Sequence, residues 1–300
     1  MIPSGRPKGY DPNWPYPEVG QFSEAGGVRW HHLRLGRGPL LLLLHGSASS
    51  THAWAGVASL LRSHFTLLIP DLPGHGRSSP LPLARGGPDA WARALADFLD
   101  QEDLHPDLLI GHSAGAVLAI RAASRGWVRP RGILGVNPAL GSRETFLPRA
   151  VEAPLMALAQ AGSSSALAAT LFRKVPLAEI LLRSTGSRLT PAILQTYRKL
   201  LSNPDHVRGV LRLMSTWDPG GAGDEAAALR IPVHFLTGAR DRWVPASQIR
   251  ALCAGLPVEV LPNRGHLLPE EDPAAVVRAL AALARAASVP FEADPSEGGA

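Results

Sequence analysis

The chain has 300 residues, 45% of them hydrophobic and 18% charged, with a formal net charge of +5. That composition supplies a sizeable buried core with room for an insert and excludes a disordered polyelectrolyte. Only three of the thirty basic residues are lysines and the arginines are scattered singly, which points to a solvated basic surface and away from nucleic-acid binding.

In chain order, residues 1–20 are rich in proline, glycine and aromatics, which predicts an extended surface arm pinned by Trp14 or Tyr16. The arm has no apolar h-region, so no signal peptide is expected. The longest apolar run, Pro39–Leu44, is too short to span a bilayer. Short apolar runs at Val28–Leu35, Leu40–Leu44, Phe65–Ile69, Leu108–Ile110, Gly132–Val136, Val233–Leu236 and Val258–Leu261 predict strands. Several are continuous, as in strands covered on both faces. Helical patterns at His52–Ser63, Pro88–Asp100, Ala114–Arg125, Ser247–Gly255 and Pro273–Ala287 alternate with them. This alternation predicts an α/β fold with a mostly parallel central sheet and helices on both faces.

From 139 to 228 there is no strong strand. Helical patches at Arg149–Ala161, Ser165–Phe172, Leu177–Ser184, Pro191–Leu201 and His206–Thr216 are separated by glycine- and proline-containing breaks. A helical cap over one edge of the sheet is expected there, between core segments 21–138 and 229–288. Residues 289–300 are expected to form a disordered tail.

The most informative segment is Leu108–Gly126, a short strand running into GHSAG and then a helix of small residues. The G-x-S-x-G elbow needs this strand–turn–helix context, because a sharp strained turn must lift Ser113 above the sheet. A serine hydroxyl needs a base, and His266 follows the Val258–Leu261 strand. An acid must orient that histidine, and Asp241 follows the Val233–Leu236 strand. Ser113, Asp241 and His266 are therefore the expected triad. The oxyanion donors are expected to be the backbone N–H groups of Ala114, after the nucleophile, and Ser47, in the loop after Leu40–Leu44. His45 in that loop is read as structural.

Other polar groups read less catalytically. Asp71, His75 and Arg77 in IPDLPGHGRSSP are expected to form a hydrogen-bonded loop beside the site. Asn137 occupies another place where an acid could sit, but it is an amide. His31 and His32 are adjacent on a strand and should point to opposite faces. No metal-ligand spacing, phosphate loop or dinucleotide turn is present, so no metal or cofactor is expected. Cys253 is read as a small buried apolar residue, and a single cysteine excludes an intrachain disulfide and suits a reducing cytoplasm.

Together HG at 45–46, DLPGHGRS at 71–78, GHSAG at 111–115, GARDRWVP at 238–245 and RGHLLPEEDP at 264–273 resemble the α/β-hydrolase superfamily over about Val28–Ala287. A narrower resemblance rests on DPNWPYPEVGQFSEAGGVRWHHLRLG, HGSASSTHAW (45–54), GHSAGA (111–116), VNPAL (136–140), LLRSTGSRLT (181–190) and YRKLLSNPDHVRGVLRLMSTWD (197–218). These look like the magnesium-chelatase accessory proteins of bacteriochlorophyll biosynthesis (the BchO type). The expected reaction, that of a serine hydrolase acting through an acyl-enzyme, comes from Ser113, His266 and Asp241. The resemblance implies a role near magnesium insertion into protoporphyrin, a setting and not a reaction. Its implied partners are a small apolar or amphiphilic substrate such as a porphyrin, and magnesium chelatase; its implied location is cytoplasmic, peripheral to photosynthetic membranes without stable insertion. The alternatives are a non-catalytic tetrapyrrole-binding accessory and a general carboxylesterase or C–C bond hydrolase. A flat ring with propionate arms would suit an apolar pocket rimmed by arginines. Arg143, Arg149, Arg173, Arg183, Arg188, Arg198, Arg208 and Arg212 are each expected on a solvated helix face.

Overall fold

The computed structural model describes residues 16–82, 86–141 and 177–291. The most apolar stretches form the middle of one eight-stranded sheet. Its strands are β1 (Gly20–Ala25), β2 (Val28–Gly36), β3 (Leu40–Leu44), β4 (Thr66–Pro70), β5 (Leu108–His112), β6 (Gly132–Val136), β7 (Val233–Gly238) and β8 (Val258–Leu261). The spatial order is β1-β2-β4-β3-β5-β6-β7-β8. β1 and β2 pair antiparallel and β2 joins β4 antiparallel; every later pairing is parallel.

Ten α-helices are described. They are α1 (Ala55–Leu61), α2 (Gly87–Gln101), α3 (Ala114–Ser124), α4 (Leu177–Ser184), α5 (Pro191–Leu201), α6 (Pro204–Ser215), α7 (Ala222–Ala228), α8 (Ala246–Leu252), α9 (Leu268–Glu271) and α10 (Pro273–Ala286). Alternate side chains of a strand face opposite sides, so one leucine run feeds two cores. Leu42, Leu44, Leu109 and Ile133 pack under α2 and α3. Leu41, Leu43, Leu67, Ile69, Ile110 and Leu134 pack under α1 and α10. Truncating any one of these leucines to alanine should cost about 2–5 kcal/mol. The helix starts follow local chemistry. Pro191, Pro204 and Pro273 each sit in a first turn, where a missing N–H costs nothing. The preceding Thr190, Asn203 and Asp272 side chains each accept a first-turn N–H.

The observed elements differ from the sequence expectations in several places, among them the short helix α9, which was not expected. Gly20–Ala25 is an edge strand that was not expected, and only Gly20 of it falls in the expected arm: the segment lacks apolar alternation, and what fixes it is the antiparallel register with β2 and the Arg29 guanidinium 3.6 Å over the Phe22 ring. α7 forms across part of a glycine-rich break because Gly221, at φ 75, starts it in a left-handed conformation. The first residues of the expected tail are packed, with Val289 and Phe291 buried in the α1–α10 core. The His52–Ser63 pattern divides into a 3-10 turn at Thr51–Trp54 and the shorter α1. Of the two expected anchors of the arm, the Tyr16 hydroxyl donates to the Ala55 carbonyl (3.3 Å), and Trp14 lies outside the described residues. So do the patches Arg149–Ala161 and Ser165–Phe172. Among the described residues no helix is long and apolar enough to cross a membrane.

Candidate active site

The site begins with backbone geometry at the end of β5. Ser113 sits at φ 52, ψ −116, a conformation that is strained for a residue with a Cβ. The chain tolerates the turn because Gly111 and Gly115 carry no side chain. A Cβ at Gly111 would overlap Ala116, and one at Gly115 would overlap the Leu44 and His45 carbonyls. The turn is tied to β6, with Ser113 N–H donating to Val136 O (2.9 Å) and Ala139 N–H to Ser113 O (3.1 Å). α3 follows at once, so its N-terminal end faces the serine.

The structure brings Ser113, Asp241 and His266 together from three separate loops. Ser113 Oγ lies 3.1 Å from His266 Nε2, and His266 Nδ1–H donates to Asp241 Oδ2 at 2.7 Å. The carboxylate fixes the tautomer: with Nδ1 as donor, Nε2 is left to accept the serine proton. Asp241 is fully engaged. Its Oδ1 accepts the Trp243 and Val244 amides (each 2.8 Å), and its Oδ2 also accepts Asn137 Nδ2–H (2.7 Å). Asn137 was visible in the sequence as a possible acid position; here it serves the acid that stands opposite. On the other side, His112 Nε2–H donates to the backbone carbonyl of His266 (2.8 Å). Burial, followed by the neighbouring His266, holds the His112 pKa well below its ordinary value, so His112 stays a neutral donor.

Ser47 and Ala114 both border the cavity in front of Ser113. The loop carrying Ser47 presses on the nucleophile: a Cβ on Gly46 would meet Ser113 Cβ at 2.9 Å and His112 Nδ1 at 3.0 Å. Ala48 has φ 61, which turns the chain just after Ser47. His45 braces this loop, donating Nδ1–H to Gly46 O (2.7 Å) while Nε2 accepts Leu72 N–H (2.9 Å). Burial lowers its pKa to about 3, which suits a ring nitrogen that must accept.

Asp71 is buried in the adjoining loop. It accepts His31 Nδ1–H (2.7 Å), Thr51 N–H (2.8 Å) and Arg77 N–H (2.9 Å). Burial alone would raise its pKa, but these donors, His31 foremost, pull it to about 2. The His75 side chain is buried and bonded to Pro73 O (3.1 Å). This is a loop-holding network beside the site.

A cavity of about 860 Å3, counting its mouth, opens onto Ser113. Its wall is apolar, with Leu181, Leu201, Val210, Leu211, Met214 and Trp217 facing the triad side of the site. Among the described residues no arginine lines it. Arg183 and Arg198 pair with Glu179, Arg208 with Asp205, and Arg212 donates to the Leu81 and Pro82 carbonyls. Arg143, Arg149 and Arg173 lie outside the described residues. Sequence reasoning missed Trp243, whose ring centroid lies 5.4 Å from that of His266 and which lines the same cavity. Its position two residues after the candidate acid was the available signal.

Comparison with known proteins agrees with this architecture. A model of the alpha/beta hydrolase family matches residues 41–279. The chain is 32% identical to the magnesium-chelatase 30 kDa subunit of Rhodobacter capsulatus, over 88% of this chain and 94% of that protein. It is 30% identical to a pimeloyl-[acyl-carrier protein] methyl ester esterase of Chromobacterium violaceum, over 82% and 94%. Among solved structures, an alpha/beta hydrolase fold protein from Burkholderia ambifaria superposes with a TM-score of 0.71 at 22% identity, covering 87% of this chain and 97% of that one.

Proposed function

The chain belongs to the alpha/beta hydrolase family, and from that premise we propose that it is a serine hydrolase that cleaves neutral, apolar carboxylic esters through an acyl-enzyme. The observation that carries the reading is the unbroken chain Ser113 Oγ, His266 and Asp241, with spacings of 3.1 and 2.7 Å, opening onto an apolar cavity. Helices α4–α7 are read as belonging to the cap expected at 139–228, of which residues 142–176 lie outside the described residues.

Ser113 Oγ attacks the ester carbonyl while its proton passes to His266 Nε2. Asp241 stabilises the resulting imidazolium. The Ser47 and Ala114 N–H groups take the oxyanion. The tetrahedral intermediate collapses, and His266 returns the proton to the departing alkoxide. Water, deprotonated by the same nitrogen, then cleaves the acyl-enzyme and regenerates the Ser113 hydroxyl. A serine at this position does not suit the dehalogenase or epoxide-hydrolase routes, which need a carboxylate nucleophile. The similarity to a magnesium-chelatase subunit supports a setting near tetrapyrrole metabolism. The apolar wall of Leu181, Leu201, Val210, Leu211 and Met214 supports esterified or otherwise neutral groups over free propionates.

The test is labelling of the purified protein with a fluorophosphonate probe. Labelling that Ser113→Ala abolishes is the expected result. A folded wild-type protein that stays unlabelled would refute the hydrolytic reading and favour a binding accessory of the chelatase.

A further inference from the structure

One sequence feature is not used by this mechanism. The RSTGS stretch ends α4 and meets both loops, the one carrying the base and the one carrying its acid. The Thr185 carbonyl accepts His266 N–H (3.2 Å) and also Arg242 N–H (3.5 Å). The Ser187 hydroxyl accepts Leu267 N–H (2.8 Å). Ser184 Oγ accepts the indole N–H of Trp243 (3.0 Å), and Trp243 packs toward the His266 ring. Thr185 is fully buried, which is unusual for a threonine on an insert.

The fit is backbone against backbone. Gly186 has φ 80, and any Cβ there would overlap the Arg240 carbonyl. From the other side, a Cβ on Gly265 would overlap the Gly186–Ser187 peptide. The residue before the base and the turn therefore touch with no side chain between them. Each peptide group of His266 is held: its N–H by Thr185, its C=O by His112, and the next N–H by Ser187. Without Thr185 and Ser187, two consecutive buried amides would lose their acceptors.

We propose that the Ser184–Ser187 turn is a positioning element for the catalytic base, in which the Thr185 carbonyl and the Ser187 hydroxyl set the His266 loop against Ser113. The inference rests on the serine-hydrolase reading for its catalytic meaning. The cap is then part of the machinery at this root. Reacting groups must be held within about 0.5 Å of the productive geometry. On this proposal, removing the Ser187 hydroxyl leaves Leu267 N–H without its acceptor and lets the His266 loop drift out of that tolerance.

The experiment uses the full-length protein, its Ser187→Ala and Ser187→Thr variants, and Asp241→Asn as a control. Three readouts are taken: the second-order rate of fluorophosphonate acylation from pH 5 to 9, the low-field proton NMR signal of His266 Nδ1–H, and the melting temperature. Ser187→Ala should slow acylation by about 10- to 100-fold. It should also displace the acid limb of the pH profile and shift the low-field signal. Ser187→Thr, which keeps the hydroxyl, should recover most of the rate. Acylation within twofold of wild type at every pH, with an unchanged signal, would overturn the proposal. So would a rate loss that Ser187→Thr fails to repair while the signal stays in place. If wild type itself does not acylate, the hydrolase reading fails. The low-field signal, absent in Asp241→Asn, still reports whether Ser187 holds the histidine.

Discussion

Replacing Asp241 by asparagine changes one oxygen to an amide, and the surroundings say what that costs. The Asp241 carboxylate accepts four hydrogen bonds, two on each oxygen. In the variant, the retained oxygen can keep the Trp243 and Val244 amides. The new NH2 then faces His266 Nδ1–H and Asn137 Nδ2–H, so donors meet donors. His266 escapes by moving its proton to Nε2, the nitrogen that must accept from Ser113. Loss of the imidazolium's counter-charge and of the correct tautomer should lower kcat by about 10^3–10^4, or about 4–5.5 kcal/mol. The unpaired buried donors should also cost about 1–3 kcal/mol of stability. A swap refines the test. Asn137 and His266 meet on the same Asp241 oxygen, each at 2.7 Å, so a carboxylate at 137 would stand one shared neighbour away from the imidazole, near enough to restore part of its counter-charge. Asn137→Asp combined with Asp241→Asn should regain at least tenfold over Asp241→Asn alone. The assay is steady-state hydrolysis of a p-nitrophenyl ester, with melting temperatures alongside. An Asp241→Asn enzyme within tenfold of wild type would refute the argument.

Stability should depend on pH in a predictable direction. Burial pushes the pKa values of His32, His52 and His75 down to about 4 and that of His45 to about 3, and holds His112 and His206 well below their ordinary value. The unfolded chain gains protons below about pH 6.5 and the folded one does not until near pH 4, so stability is lost as pH falls through that window. On the other side, burial raises the Glu270 pKa to about 8, so its contribution to stability falls as pH rises from about 4.5 to 8. Six histidines outweigh one acid, and the melting temperature should be about 10 °C lower at pH 5 than at pH 7. Equal values would contradict the burial. In an ester series, kcat/KM should rise by about fourfold per acyl methylene from acetate to hexanoate, as each CH2 enters the apolar cavity. A hemiglutarate ester, bearing a free carboxylate, should fall well below hexanoate; parity between the two would show that a cation reaches the cavity.

Much of the fold was legible because its centre is chemically extreme. Runs such as Leu40–Leu44 can satisfy their side chains only between two helical layers, and the structure places them there. β1 was not legible, since GQFSEA carries no alternation and is fixed by a partner strand. Ser113, Asp241 and His266 could be singled out because each follows a strand in a recognisable local context, and the structure brings them within hydrogen-bonding reach. Thr185 and Ser187 could not. Their partners lie about 80 residues further on, and nothing local distinguishes a hydroxyl that caps its own helix from one that holds another loop.

The two-faced sheet also sets an order of events during synthesis. Strands β3 to β6 are complete once Val136 has emerged, and α2 and α3, already made, can cover one face. The other face depends on α10, which follows roughly 150 residues later, an interval on the order of 10–30 s at ordinary elongation rates. Through that interval the nascent chain carries an open leucine- and isoleucine-lined wall, part-shielded by α1, by Trp54 before it and by Tyr16 and Val19. His266 emerges just before α10, so it can join Ser113 only as that wall closes.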